Sequence, residues 1–299
     1  MRVTNFVKKK YLIRKRALGD VIWIEPIIRK LASEFQQVIV YTKYPDLFLN
    51  YPLKNVFFKS KLKFYELLLI EIERRLKIQF YSVNLEESYE KNANMHILNA
   101  YQIKAGISLT REYPVLHLSD EEIHERIFKS KYVLLHLESF SDKKYRNIFG
   151  VKWEVIIEYL NSKGFEVVQV GLTSDHITGV HKVKTNLREL ISICFHSSYF
   201  IGLDSGPSHL AASLGIPSMI FFGAINPEYR HFPEIFNGVL VKKNCEFDNN
   251  QSLVINSRYL DCKFSNNQNT ASCSYYSTEE VKLKINDLLK YDKTGNLQD

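Results

Sequence analysis

The sequence is poor in cysteine and lacks any long hydrophobic run, and each of these features excludes certain classes of protein. Four cysteines in 299 residues form no C-x-x-C pair, so they match neither a disulfide framework nor a structural zinc site. The longest uncharged apolar run, Leu210 to Phe222, is too short to span a bilayer. The basic N-terminus is not followed by the apolar segment of a signal peptide. We therefore expect a cytoplasmic protein.

The sequence also lacks the short motifs of several enzyme classes. It has no H-E-x-x-H and no Asp-x-Asp, and the first strand-turn-helix segment has no G-x-G-x-x-G dinucleotide fingerprint. Three of the cysteines, Cys245, Cys262 and Cys273, fall in one late region at spacings that match no standard metal-ligand pattern. We expect reduced, packed thiols there, with a loop-clamping metal or disulfide as the alternative. No metal and no cofactor are expected at the active site.

Composition and charge indicate a folded protein with an anionic neighbour. A hydrophobic content of 45% and an aromatic content of 13% argue against disorder. The length suits two domains of about 150 residues each. The formal net charge of +7 suggests a nucleic acid, an anionic membrane or a phosphorylated substrate. Because no zinc finger or RRM signature accompanies the scattered basic residues, we expect no nucleic acid.

Strands and helices alternate along the chain, which predicts two α/β Rossmann-like domains with parallel sheets. In the first half, helices are predicted at Val21 to Phe35 and Phe64 to Lys77. The stretch Arg111 to Ser119 has no clear periodicity and reads as the passage between domains. We therefore predict domains at 1–120 and 121–299. The last helix, about 278–290, is a candidate to pack back on the N-terminal domain.

The clearest motif is IGLDSGPSHLAASLGIPSMIFFG, from Ile201 to Gly223. A hydrophobic strand runs into Asp204-Ser205-Gly206, and Pro207 then suits the first turn of a helix. A helix N-terminus at the carboxyl edge of a parallel sheet binds anions through its amides and its dipole, so a diphosphate fits there. The alternative is simple helix capping by Asp204 and Ser205, with His209 as an ordinary first-turn histidine.

Two further segments follow predicted strands. RALGDVIWIEP, Arg16 to Pro26, places Asp20 at the carboxyl edge of the first sheet, where it is either functional or a plain helix N-cap. LESFSDKKYRN, Leu137 to Asn147, gathers hydroxyls and cations that suit phosphate oxygens, or it is a solvated surface loop.

Together these segments resemble glycosyltransferase family 9, the heptosyltransferases of lipopolysaccharide core assembly and their relatives. The resemblance rests on the Gly19-Asp20 turn, on the run from Asn186 to Pro227 with Asp204-Ser205-Gly206-x-x-His209, and on the order of elements around Trp153. It implies a GT-B-type architecture, with two Rossmann-like domains facing across a cleft. The N-terminal domain would take the acceptor and the C-terminal domain the nucleotide sugar.

The resemblance also implies an activity and a set of site residues. The expected reaction is an inverting, metal-independent transfer of a heptose-like sugar, from ADP-heptose or a related nucleotide sugar, to a lipopolysaccharide core or other bacterial surface glycan. Asp20 matches the general base. The donor-binding residues carried over from the family are Asp204, Ser205, Gly206, His209, Ser139 and either Lys143 or Lys144.

Two other functions stay open from the sequence. One is a nucleotide-sugar isomerase or epimerase on the same scaffold, and the other is a non-catalytic scaffold that retains donor binding. The expected partners are a nucleotide-sugar donor and a glycolipid or glycan acceptor. The basic charge also predicts peripheral contact with the inner face of an anionic membrane.

Overall fold

The computed structural model describes residues 9–92, 94–138, 146–171, 177–223, 225–244, 253–256, 259–262 and 272–293. The chain divides into two compact units, Met1–His117 and Leu118–Asp299. The division lies three residues before the boundary expected from the sequence. Among the described residues, none of the helices combines the length and the apolar character needed to cross a bilayer.

The first unit is built on a parallel sheet of four strands: β1 (Lys9–Ile13), β2 (Gln37–Tyr41), β3 (Val56–Lys59) and β4 (Ser82–Asn84). The strand order is β3-β2-β1-β4, and every neighbouring pair is parallel. Its helices are α1 (Leu18–Ile22), α2 (Glu25–Glu34), α3 (Phe64–Leu76) and α4 (Ile97–Ala105). The order reverses between β1 and β4, and in open α/β sheets ligands bind beyond the carboxyl ends of the strands at such a switch point.

The single helix predicted from Val21 to Phe35 is wrong, because the structure has two helices, α1 and α2, in this region. Pro26 lies in the first turn of α2. Proline has no N–H to donate to the preceding turn and its ring collides with that turn, so a helix arriving from α1 ends before it. The interruption leaves α1 as a short, separate turn that carries Asp20.

The second unit contains a parallel sheet of six strands: β5 (Tyr132–His136), β6 (Glu166–Val170), β7 (His181–Val183), β8 (Tyr199–Leu203), β9 (Ser218–Phe222) and β10 (Gly238–Lys242). The spatial order β10-β9-β8-β5-β6-β7 is that of a Rossmann fold read in reverse, with the switch point between β5 and β8. Its helices are α5 (Asp120–His124), α6 (Trp153–Ser162), α7 (Leu187–His196), α8 (Gly206–Ser213) and α9 (Thr278–Leu288).

One core cluster joins strands and helices of the second unit. Side chains from β5, β6 and β8 pack in it with the buried face of α6. The apolar face of α9, carried by Val281, Ile285 and Leu288, belongs to the same cluster. An antiparallel hairpin that was not predicted from the sequence is formed by β11 (Leu253–Asn256) and β12 (Tyr259–Cys262).

Candidate functional site

The switch point of the second unit brings together the residues that follow β5 and β8. His136 ends β5, and its Nδ1 lies 3.2 Å from Oγ of Ser205. The Ser205 hydroxyl also donates to the carbonyl oxygen of Leu203 at 3.1 Å. Burial lowers the pKa of His136 to about 4, although the nearby Glu138 opposes this shift. The imidazole is therefore neutral at physiological pH.

Helix α8 begins at this edge of the sheet, as the motif predicted. Gly206 is its first residue, and Pro207 occupies the first turn, where a missing N–H costs nothing. The amide of Ser205 donates to Oγ of Ser208 at 3.1 Å, which fixes the turn that enters the helix. The helix N-terminus, with its positive dipole end, thus lies at the carboxyl ends of β5 and β8.

Asp204 leads a buried polar cluster beside this helix. Its Oδ1 lies 3.6 Å from Nε2 of His209, and its Oδ2 lies 3.7 Å from Nε of Arg230. The ring of His209 stacks on that of His231, with centroids 4.8 Å apart and planes inclined by 20°. Within the described residues Oδ2 of Asp204 is buried and accepts no hydrogen bond. A buried carboxylate oxygen in that state is suited to receive one from a ligand.

The same cluster offers donor atoms for a metal ion. Ligand atoms of Asp204, His209 and His231 all lie within 4.8 Å of one another. Two imidazoles and a carboxylate suit a first-row transition metal. However, the guanidinium of Arg230 already places a positive charge beside the Asp204 carboxylate, and this charge repels a divalent cation. The electrostatics therefore favour a hydrogen-bonding role for the cluster.

The switch point of the first unit carries a different cluster, centred on Arg14 directly after β1. Arg14 is buried, and its guanidinium bonds to Asp20, to Oε1 of Glu90 at 3.1 Å and to the carbonyl of Leu85 at 3.3 Å. A third carboxylate, from Glu86, lies 3.7 Å from Nη1. The cluster therefore holds three carboxyl groups around one guanidinium.

Asp20 is a member of this cluster and not a helix cap. Helix α1 has Ala17 as its N-cap, and Asp20 lies inside its first turn. The capping alternative is therefore wrong. The Asp20 side chain keeps 14% of its surface accessible, and its Oδ2 accepts a hydrogen bond from Arg14.

Glu90 shares a guanidinium nitrogen with Asp20. Burial raises the pKa of Glu90, and the negative charge of Asp20 adds to the rise, although Arg14 opposes it. A carboxyl group that holds its proton to higher pH than usual, beside a second carboxylate, is an arrangement found where protons are transferred.

Sequence reasoning missed Arg14, Glu90, Arg230 and His231. The first two lie 76 positions apart in the chain, so only the sheet order brings them together. The adjacent Arg230 and His231 follow β9, the strand next to β8, and that position was a usable signal. Glu25, the other carboxylate of the Arg16 to Pro26 segment, is fully buried and accepts hydrogen bonds from Arg29 and other groups, so its role is structural.

Three of the predicted donor residues, Ser139, Lys143 and Lys144, lie outside the described residues. The other four, Asp204, Ser205, Gly206 and His209, come together at the switch point of the second unit, as described above. The assignment of all seven to donor binding remains a prediction.

The solved structures that this chain resembles are GT-B glycosyltransferases, and the protein has that fold. It superimposes on the iron-containing dodecameric glycosyltransferase TibC from enterotoxigenic E. coli H10407 with a TM-score of 0.69 and 18% identity, covering 95% of this chain and 77% of that one. It matches E. coli ADP-heptose lipopolysaccharide heptosyltransferase II with a TM-score of 0.59 and 14% identity, covering 94% and 98%. These identities are low, so the likeness defines the fold.

Residues 70–244 match the model of glycosyltransferase family 9 (heptosyltransferase), and the chain belongs to this family. It is 28% identical over 145 residues to the autotransporter heptosyltransferase Aah of Escherichia coli, covering 44% of this chain and 36% of that protein. It is 32% identical over 129 residues to lipopolysaccharide heptosyltransferase 1 of Campylobacter coli, covering 43% and 36%. The chain thus spans about a third of the length of these relatives.

Proposed function

We propose that this protein is an inverting, metal-independent glycosyltransferase that moves heptose from ADP-heptose to a bacterial surface glycan. The acceptor class is a lipopolysaccharide core or a related glycan. Family membership supports the class of reaction, and relatives named as heptosyltransferases support the sugar. A structural neighbour has been solved with ADP-D-β-D-heptose, which supports the nucleotide.

The observation that carries the proposal is the arrangement around Asp204. A buried carboxylate oxygen without a hydrogen bond lies beside the N-terminus of α8, at the switch point of a Rossmann-ordered sheet. The amides of the first turn suit the diphosphate, and the carboxylate suits a sugar hydroxyl. His209 and Arg230 hold the carboxylate in place.

The proposed reaction breaks one bond and forms one bond at the anomeric carbon. The acceptor oxygen attacks that carbon as the bond to the diphosphate breaks, and ADP leaves from the opposite face. The acceptor proton passes to the carboxylate of Asp20, which Arg14 orients. The helix N-terminus stabilises the negative charge that develops on the departing diphosphate.

Donor binding tests the proposal directly. We expect His209→Ala to release Asp204 and to weaken ADP-heptose binding about tenfold, the effect of losing roughly 1.4 kcal/mol. Gly206→Val should block the approach of the diphosphate to the first turn of α8. His181→Ala is the matched control, since this histidine is exposed on β7. Unchanged affinity in both site variants, measured by calorimetry on folded protein, contradicts the assignment.

Product analysis separates the proposed transferase from its rivals. Transfer of heptose to a glycan acceptor, with release of ADP, is the expected result. Release of a free altered sugar or of a modified nucleotide sugar without acceptor would indicate an isomerase. Donor binding without turnover in any acceptor mixture would indicate a scaffold.

The proposed absence of a metal has its own test. Because the guanidinium of Arg230 balances the negative charge of Asp204, we expect full transfer activity after EDTA treatment. Loss of activity that iron, zinc, magnesium or manganese restores would mean that Asp204, His209 and His231 hold an ion.

A further inference from the structure

Helix α3 turns two of its three glutamates inward and its large apolar residues outward. Glu66 and Glu73 are almost completely buried, at 1% and 4% exposure. Seven large apolar residues of α3 are exposed by 40% to 83%, and all but Leu67 form what we call the outer stripe: Phe64, Tyr65, Leu68, Leu69, Ile72 and Leu76. At 3.6 residues per turn they lie within an arc of about 140° on one side of the helix. An amphipathic surface helix normally has the opposite orientation.

Polar contacts on the inner face fix this orientation. Glu66 accepts hydrogen bonds from the hydroxyl of Tyr11 at 3.0 Å and from the amide of Lys63 at 2.8 Å. Glu73 accepts from the hydroxyl of Ser82 and from the amide of Tyr81. Rotating α3 to bury the outer stripe would break these bonds and expose the carboxylates' partners. The outward apolar face is therefore specified by the fold.

The outer stripe continues into its surroundings. Of the 21 large apolar side chains that are exposed in the described part of the chain, 11 lie between Phe57 and Tyr81. Ile78 and Phe80 extend the apolar surface beyond the end of α3, and each is about half exposed. Contiguous apolar surface on a folded protein marks an interaction site, whereas scattered apolar residues do not.

Positive charge surrounds the outer stripe, and this charge selects the partner. The exposed residues from 54 to 81 that carry a charge at neutral pH are all basic: Lys54, Lys61, Lys63, Arg74, Arg75 and Lys77. The acidic residues of the stretch are Glu66 and Glu73, which are buried, and Glu71, which is half-buried and paired with Arg74 and Arg75. The surface is therefore apolar in the middle and cationic at both ends of the helix.

We propose that the outer stripe of α3 docks this protein on an anionic lipid bilayer. Apolar and aromatic residues would enter the boundary between headgroups and acyl chains, and the flanking cations would meet the acidic headgroups. A second copy of the chain is a poorer occupant, because a twofold contact along the helix would bring its basic ends together. The inference rests on the proposed function for its biological setting, which is a membrane-bound acceptor. The net charge only suggested contact with a membrane, and the outer stripe assigns that contact to a particular surface.

Vesicle binding by the full chain tests the inference. The variant Leu68→Glu/Ile72→Glu places two carboxylates in the outer stripe, and we expect at least a tenfold loss of binding to phosphatidylcholine vesicles that contain phosphatidylglycerol. The control Ile103→Glu/Leu283→Glu makes the same change of charge at exposed apolar positions of α4 and α9 and should bind as the wild type does. Lys54→Gln/Lys61→Gln should weaken binding severalfold, and high salt should have the same effect.

Three outcomes would overturn the inference: wild-type binding by the double glutamate variant, equal binding to vesicles without phosphatidylglycerol, or no vesicle binding by the wild type. If the variant instead abolishes a concentration-dependent dimer seen by sedimentation velocity, a second copy covers the stripe. ADP-heptose binding is measured on the same samples. Vesicle binding without donor binding refutes the proposed function alone, and donor binding without vesicle binding refutes the docking surface alone.

Discussion

The two units place opposite chemistry at the same position of the same kind of sheet. In each, the strand order reverses next to the first strand, and buried polar residues lie at that switch point. The first unit gathers three carboxyl groups around Arg14, so negative charge exceeds positive charge. The second unit sets one carboxylate, Asp204, among Arg230, two histidines and a helix N-terminus.

The proposed function assigns a different step to each of these clusters. An excess of carboxylates favours uptake of a proton, and a helix N-terminus beside cationic and neutral polar groups favours a phosphate. The shared topology accounts for the location of each cluster, but the side chains that follow each strand decide what it binds. Disabling each switch point separately should therefore affect different steps.

The largest effect is expected at the switch point of the first unit. Asp20→Asn removes the proposed base, and turnover should fall by about 10² to 10⁴-fold, the usual contribution of general-base assistance. ADP-heptose affinity should not change, because the proposed donor residues lie in the second unit. Glu34→Gln, an exposed carboxylate change on α2, is the control. A kcat close to that of the wild type would show that Asp20 only neutralises Arg14, and Glu86 and Glu90 would become the next candidates.

The same substitution should also reduce stability. Asp20 contributes a charge-assisted hydrogen bond to the buried Arg14, and Glu90 and Glu86 remain to pair with that guanidinium. Asparagine keeps a neutral acceptor for Arg14, so loss of the negative charge should lower the free energy of unfolding by about 1 kcal/mol, measured by urea denaturation. A helix cap replaced by asparagine would have changed stability very little, so this value distinguishes the two roles.

The sequence predicted local features well and tertiary partners poorly. The turn from Asp204 to His209 is a contiguous motif whose strand, turn and helix are set by neighbouring residues, and it forms as expected. Arg230 reaches the same carboxylate from beyond another strand, so its contact depends on the strand order. Helix α3 was predicted almost to the residue, yet periodicity cannot reveal which face is buried. Glu66 and Glu73 determine which face of α3 is buried, through their hydrogen-bond partners on β1 and β4.

A third prediction concerns the stability of the second unit in acid. The pKa of His136 falls from 6.5 to about 4 on folding because the side chain is buried. Between pH 6.5 and about 4, the unfolded chain therefore binds a proton at His136 that the folded chain does not bind. The contribution of His136 to the free energy of unfolding is fully present above pH 6.5. It decreases as the pH falls towards 4, by about 3 kcal/mol for a pKa shift of this size.

The variant His136→Gln should remove most of that decrease, since glutamine does not titrate. His181→Gln, on an exposed histidine, should leave the decrease intact. Urea denaturation between pH 7 and pH 4 measures both. An equal loss of stability in wild type and His136→Gln would show that the acid sensitivity arises elsewhere in the molecule.

The smallest expected effect has the opposite sign and belongs to the first unit. Burial and the neighbouring Asp20 raise the pKa of Glu90 from its usual 4.5 on folding, against the influence of Arg14. The folded chain therefore holds this proton at a pH where the unfolded chain has lost it. The contribution of Glu90 to stability is greatest below pH 4.5 and decreases as the pH rises through the raised pKa.

Glu90→Gln, which cannot lose a proton, should abolish this decrease, whereas Glu34→Gln should preserve it. Urea denaturation from pH 4.5 upward, carried out in the His136→Gln background to remove the opposing slope, measures the difference. A decrease that persists in Glu90→Gln would mean that another carboxyl group of the Arg14 cluster holds the proton. Glu86 would then be the group that shares protons with Asp20.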